Sequence, residues 1–117
     1  VTLPCPVCGF LTVPATHFGS YNICGVCGWE DDGVQLANPA CEGGANSESL
    51  IAAQAAALAD FPQGLTEACG FSRDSAWRPL SDVEIKVALR EREERCWRNK
   101  AAVDLSAAYW SRLPGKA

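Results

Sequence analysis

Two Cys-x-x-Cys pairs, Cys5/Cys8 and Cys24/Cys27, with fifteen residues between them, constrain this chain more than any other feature. A tetrahedral zinc ion takes four thiolates about 2.3 Å away, and each pair offers two from one tight turn, so two turns close a four-ligand site. Glycine follows each pair, at Gly9 and Gly28, where a positive φ lets backbone N–H groups approach the sulfurs. Cys5, Cys8, Cys24 and Cys27 are therefore the expected ligands of one structural Zn²⁺. Two disulfides or a thioredoxin-like redox pair are the alternatives, and a single redox motif leaves the matched second pair unexplained. A site with four protein ligands has no open position for water, so it speaks for architecture rather than catalysis. His17, the sole histidine, is read as a solvated loop residue rather than a substituting ligand.

Around the pairs, residues 10–13 and 21–23 are short β-prone runs joined by a loop, the pattern of a zinc ribbon. The alanine-rich run 48–60 predicts a helix capped by Asn46 or Ser47, with Leu50, Ile51, Ala55 and Leu58 as its buried stripe and Pro62 ending it. Residues 64–79 read as a connector with a short helix near 65–69. Ser81 and Glu84 form a capping box, from which a long helix should run towards Leu113, with Ile85, Leu89, Cys96, Val103, Ala107 and Trp110 on one stripe. Glu91/Arg95 and Glu94/Arg98 are favourable i,i+4 pairs on it. A helix of roughly thirty residues exceeds what so small a domain covers, so it should bend near 99–104 or pack against another chain, including a second copy. The expected fold is α+β: a small zinc ribbon of β-hairpins around a four-cysteine zinc site, with packed helices and a long C-terminal helix. The expected division is a ribbon domain over 1–80 and a helical extension over 81–117.

Composition narrows the function. At 48% hydrophobic and 21% charged, the 117 residues suit one modest core rather than a disordered chain. No apolar stretch approaches the length of a membrane span, and the amino terminus lacks the basic and apolar regions of a signal peptide, so a cytoplasmic protein is expected. Cys41, Cys69 and Cys96 remain beyond the four ligands, an odd set natural in a reducing compartment. Charge is uneven: residues 1–72 carry seven acids and no Lys or Arg, a net −7, whereas residues 73–117 are net +3. Four thiolates around Zn²⁺ would add a further −2 to the amino-terminal part. Such a surface repels phosphate, which disfavours nucleic acid and favours a basic protein as partner. Trp29, Glu30, Asp31 and Asp32, just after the second pair, are either a solvated turn with Trp29 packed over the zinc site or an acidic contact patch for a partner's Arg or Lys.

Cys5-Pro6-x-Cys8-Gly9-Phe10, the run from Tyr21 through Cys24, Cys27 and Trp29-Glu30-Asp31-Asp32-Gly33-Val34-Gln35, Gly43-Gly44-Ala45-Asn46 and Ser49-Leu50 together resemble the bacterial cysteine-rich CPCC domain family over about residues 3–80. The chain departs from it at Val7, where the family has an adjacent cysteine, and at Gly25 and Gly28, where proline and an aromatic are common. The resemblance implies zinc binding and small accessory roles, some as immunity partners of secreted toxins. The resulting expectation is a non-enzymatic zinc protein that binds and neutralises a basic toxin or effector domain, with Trp29, Glu30, Asp31 and Asp32 at the contact. The alternative is a nucleic-acid or transcription accessory module using Arg90, Arg92, Arg95 and Arg98. An enzyme with Cys41, Cys69 or Cys96 as nucleophile is disfavoured, because no Cys-His-Asp set is visible.

Overall fold

A computed structural model describes residues 2–94 and 100–113 of the chain. It opens with Leu3–Pro4 (β1) and Leu11–Val13 (β2), an antiparallel pair with Leu3 opposite Val13 and Pro4 opposite Leu11 and an irregular register between them. The first Cys-x-x-Cys turn lies within this hairpin. The run 21–23 does not become a strand: Tyr21 sits at φ 61, and Ile23 makes a single antiparallel bridge to Glu30 across the second turn. A non-glycine residue at such a φ breaks extended geometry, which reduces the second hairpin to that bridge.

Gly33–Ala37 (α1) is a short helix that the sequence pattern did not announce. Leu50–Asp60 (α2) occupies nearly the expected span, but its cap is Ser49, whose Oγ accepts from the Ala52 N–H at 3.2 Å, rather than Asn46 or Ser47. Its buried face carries Leu50, Gln54 and Ala57, with Ile51 and Leu58 partly covered, while Ala55 is exposed. Where a short helix was expected near 65–69, Glu67–Ala68 (β3) and Phe71–Ser72 (β4) form an antiparallel hairpin. Its two-residue turn, Cys69 at φ 54 and Gly70 at φ 84, has the double positive φ that matches strand twist.

Asp82–Glu94 (α3) starts with the expected capping box: Ser81 N–H donates to Glu84 Oε1 at 2.9 Å and Glu84 N–H to Ser81 Oγ at 3.2 Å. Among the described residues the long C-terminal helix is not found. From Lys100 the backbone has no regular secondary structure until it forms two 3-10 turns, Leu105–Ala107 and Tyr109–Ser111. The physical reason is burial: Ala102, Ala108, Tyr109 and Trp110 enter the same core as Leu3, Phe10, Phe18 and Leu36, which a straight helix could not do. Backbone bonds fix the return, from Ala102 N–H to Gly33 O at 2.8 Å and from Phe18 N–H to Val103 O at 2.6 Å. Of the expected stripe, Trp110 is buried while Leu89, Val103 and Ala107 are exposed. Cys96 and the partners in the Glu91/Arg95 and Glu94/Arg98 pairs lie outside the described residues. Among the described residues no helix is long and apolar enough to cross a membrane.

Candidate metal centre

The two Cys-x-x-Cys turns have the same internal wiring. In the first knuckle Cys5 N–H donates to Phe10 O at 2.9 Å and Gly9 N–H to Cys5 O at 2.8 Å; in the second, Cys24 N–H donates to Trp29 O at 2.9 Å and Gly28 N–H to Cys24 O at 3.0 Å. Gly9 and Gly28 take nearly equal conformations, at φ 79 and φ 82, as the motif requires. The wiring brings the four Sγ atoms of Cys5, Cys8, Cys24 and Cys27 within 4.8 Å of one another. Across the knuckles, Cys5–Cys27 and Cys8–Cys24 are each separated by 3.6 Å. A disulfide would need about 2.05 Å. A tetrahedral ion with metal–sulfur bonds of about 2.3 Å sets its sulfurs about 3.8 Å apart, so the spacing fits a shared metal ion.

The surroundings suit thiolates. Cys24 Sγ accepts from Thr12 Oγ1 at 3.0 Å and from the Val26 and Cys27 N–H groups at 3.4 and 3.5 Å. Burial pushes the Cys5 thiol up, whereas hydrogen bonds from Cys27, Cys5, Cys8 and Thr12 hold Cys24 far below the ordinary thiol range. The four thiols therefore titrate as one coupled set, and a cation bound among them would replace their protons.

Knuckle 1 is gripped from outside by side chains that follow it far along the chain. Pro6 O accepts from Tyr109 Oη at 3.0 Å, Trp77 Nε1 at 3.3 Å and Gln54 Nε2 at 3.2 Å, and Gln54 Nε2 also donates to Tyr109 Oη at 2.7 Å. Gln54 Oε1 in turn accepts from Leu80 N–H at 2.8 Å, so this buried amide uses both ends. Arg73 Nε donates to Cys8 O at 2.8 Å, its other nitrogens reach Phe61, Pro62 and Leu65 carbonyls, and its guanidinium lies 4.3 Å from the Phe10 ring centroid. Arg78 pairs with both Glu84 oxygens, at 2.8 and 3.0 Å, and donates to Tyr109 O at 3.0 Å, which holds the returning segment in place.

The acids after knuckle 2 are not presented together at the surface, which corrects the expectation of a Glu30–Asp31–Asp32 patch. Asp31 is 1% exposed, and its Oδ2 accepts from Ser20 N–H at 2.9 Å and Ser20 Oγ at 2.6 Å. Asp32 caps α1 through Val34 and Gln35 N–H, and its Oδ2 accepts from Ala45 N–H at 2.9 Å. Gln35, fully buried, donates to the Cys41, Asn46 and Glu48 carbonyls and accepts from Asn46. Asn46 pairs with both backbone groups of Glu30, at 2.8 and 2.9 Å. A Cβ on Gly44 would lie 2.7 Å from Asp32 Oδ2, so only glycine admits this approach. The Asp31-Asp32-Gly33-Val34-Gln35 run and the Gly43-Gly44-Ala45-Asn46 run are thus two halves of one internal lock. Trp29 is buried as well, and only Glu30 keeps a half-exposed carboxylate.

Other singled-out residues lie apart from the metal cluster. His17 is exposed and contacts Thr16 Oγ1 at 3.0 Å. Cys41 is buried, and Cys69 sits exposed in the β3–β4 turn. Arg90 and Arg92 are exposed on α3, with Arg92 reaching Ala40 O at 3.3 Å, while Arg95 and Arg98 lie outside the described residues. The gripping residues Gln54, Arg73, Trp77 and Tyr109 were missed by sequence reasoning; a tryptophan in the 64–79 connector and a tyrosine beside Trp110 were the available signal. No curated protein matches the chain. The family model described as "Cysteine-rich CPCC" matches residues 3–63, so of these four only Gln54 falls within it.

Proposed function

The chain belongs to the cysteine-rich CPCC family, and on that premise we propose that it is a non-enzymatic zinc-binding protein that binds and neutralises a basic protein partner, as an immunity protein does a toxin. The observation that carries the zinc part is the sulfur tetrad, four thiols within 4.8 Å with N–H and hydroxyl donors on one of them. Zinc suits an all-sulfur tetrahedral set, and four thiolates leave no position at which water could react, so the ion serves the fold. Charge supports the partner part: residues 1–72 hold seven acids and no Lys or Arg, and a four-thiolate zinc site adds a net −2. Such a body attracts a basic surface from a distance and raises the association rate, after which contact at the right place blocks the partner's own site.

The test uses zinc-loaded protein as bait in extracts of its own host, after native mass spectrometry has checked for one zinc per chain. The expected result is one basic protein in stoichiometric amount, released as salt is raised to about 0.5 M, where exposed charges are screened. Recovery of nucleic acid, or of no basic protein, would overturn the partner reading, and a folded chain that purifies without metal would overturn the zinc reading.

A further inference from the structure

A cleft of about 560 Å³ lies between knuckle 2, the 45–48 loop and α2. Resting on the reading of a basic partner, we propose that this cleft is where that partner docks, receiving an arginine-bearing segment of its surface.

The chemistry of the lining supports that occupant. Glu30, Glu48 and Asp60 line the cleft, and no Lys or Arg does. None of these three carboxylates has an ion pair or side-chain hydrogen bond among the described residues, in contrast to Glu84 and Glu91, each of which holds a cation. Arg73, the basic residue that bonds to Phe61 O beside the cleft, has its guanidinium engaged by backbone carbonyls. The apolar side suits the stem of an arginine: α2 contributes Ala53, Ala56 and Ala57, small side chains that leave room for it.

A second observation falls at the same place. Among the described residues, the buried side-chain polar atoms without a partner are Trp29 Nε1 and Asp31 Oδ1, on the two residues that flank Glu30. Unsatisfied buried groups are uncommon in folded proteins, and Trp29, whose Nε1 is one of the two, lines the cleft; a backbone carbonyl of the docked segment would be the acceptor that this N–H lacks. The half-buried ligand Cys27 also lines it, so the negative charge of a loaded metal centre would reach its edge. Lysine would satisfy the charge as a point cation, whereas the arginine fork can pair with carboxylates through several N–H groups at once, so the cleft should favour arginine.

The experiment is an amide NMR titration of zinc-loaded protein at low salt with three probes: a short glycine-flanked peptide carrying two arginines, its two-lysine counterpart and its two-glutamate counterpart. The expected result is tightest binding of the arginine peptide, with shifts confined to residues 26–30, 45–48 and 53–61. A Glu30→Gln/Glu48→Gln/Asp60→Asn variant should bind it at least tenfold more weakly at unchanged melting temperature, because these carboxylates hold nothing in the fold. A Glu42→Gln/Glu67→Gln variant, which removes two exposed acids elsewhere, should bind like the parent. Arginine-peptide binding that maps outside the cleft, or survives the triple variant, would overturn the cleft while leaving a basic partner intact. Absence of preference for the cationic peptides over the glutamate peptide would overturn both.

Discussion

Knuckle 1 and knuckle 2 are the same turn written twice, yet they occupy different surroundings. Their hydrogen bonds and glycine conformations match nearly bond for bond. Around knuckle 1, Cys5, Val7 and Cys8 are at most 1% exposed, and its carbonyls are engaged by Gln54, Arg73, Trp77 and Tyr109. In knuckle 2, Gly25 and Gly28 are exposed and Cys27 is half-buried at the edge of a cleft. Identical local chemistry therefore supports two roles: one knuckle anchors the cysteine cluster in the core, and the other presents it to the surface. The local sequence sets the turn, and residues roughly 50–100 positions away set which role it takes.

The sharpest way to break this comparison is to remove one ligand from each knuckle. Cys8→Ser leaves a fully buried hydroxyl in a place no water reaches, so it should abolish both metal binding and folding, removing most of a metal contribution on the order of 10 kcal/mol. Cys27→Ser leaves a three-sulfur site at a half-exposed corner where water can complete the tetrahedron, and should retain a weaker metal and a folded core. Metal content by native mass spectrometry and far-ultraviolet circular dichroism read both. Equal loss in the two variants would show that exposure at knuckle 2 has no bearing on the site.

Next in size is the pair of glycine substitutions. A Cβ on Gly9 would lie 2.4 Å from the Trp77 ring, in addition to the strain of φ 79, so Gly9→Ala should cost about 3 kcal/mol or more. Gly28 has nothing within 4 Å of the added atom, so Gly28→Ala should cost only the backbone strain, about 1–2 kcal/mol. Denaturant midpoints of the zinc-loaded proteins give the difference. Tyr109→Phe should follow at about 1–3 kcal/mol, because it takes away the hydroxyl that accepts from Gln54 and the shortest of the three hydrogen bonds to Pro6 O while keeping the ring in the core. If the C-terminal grip matters as argued, hydrogen exchange should quicken at Cys5 and Gly9 N–H in this variant and not at Cys24 and Gly28 N–H.

The four sulfurs were legible in the sequence because ligand type and spacing are local and chemically specific, and the Ser81–Glu84 box was legible for the same reason. The acids after Trp29 were misread as surface because charged residues are usually solvated, and nothing nearby in the chain reveals that Asp32 is matched by Ala45 N–H and Asp31 by Ser20. Gln35 and Asn46 carry most of that lock, yet as uncharged polar residues in a turn they give no signal until the two segments meet. The tail was misread for a different reason. Its apolar residues do fall at helical spacing after Ile85, but that pattern does not say what covers them. The ribbon had an unfilled side, and burying Tyr109 and Trp110 there, with Trp110 edge-on to Phe18 at 5.6 Å, outweighed continuing the helix.

The smallest effect concerns pH and the outer end of the knuckle 1 grip. Glu84 loses solvation on burial, which raises its pKa, but hydrogen bonds from Arg78 and from Ser81 N–H more than offset this and hold the carboxyl below its ordinary value. A carboxyl depressed in the folded state contributes stability that is fully present above its unfolded pKa, about 4.3, and is lost as pH falls through the lower folded value. The Arg78–Glu84 pair should therefore help the fold fully above the unfolded pKa and progressively less as pH falls below it. Because Arg78 also holds Tyr109 O and Arg112 O, weakening the pair loosens the segment that covers knuckle 1 and leaves knuckle 2 untouched. Glu84→Gln keeps an acceptor for Ser81 N–H and removes the charge. Melting temperatures of the two proteins should differ by a few degrees at about pH 6, and the gap should narrow as pH falls below the unfolded carboxyl pKa; the difference carries the information, since any metal loss at acid pH would lower both curves together. A gap that shows no narrowing as pH falls below the unfolded carboxyl pKa would mean that Glu84 acts through neutral hydrogen bonds alone, and that charge plays no part in fastening the tail over knuckle 1.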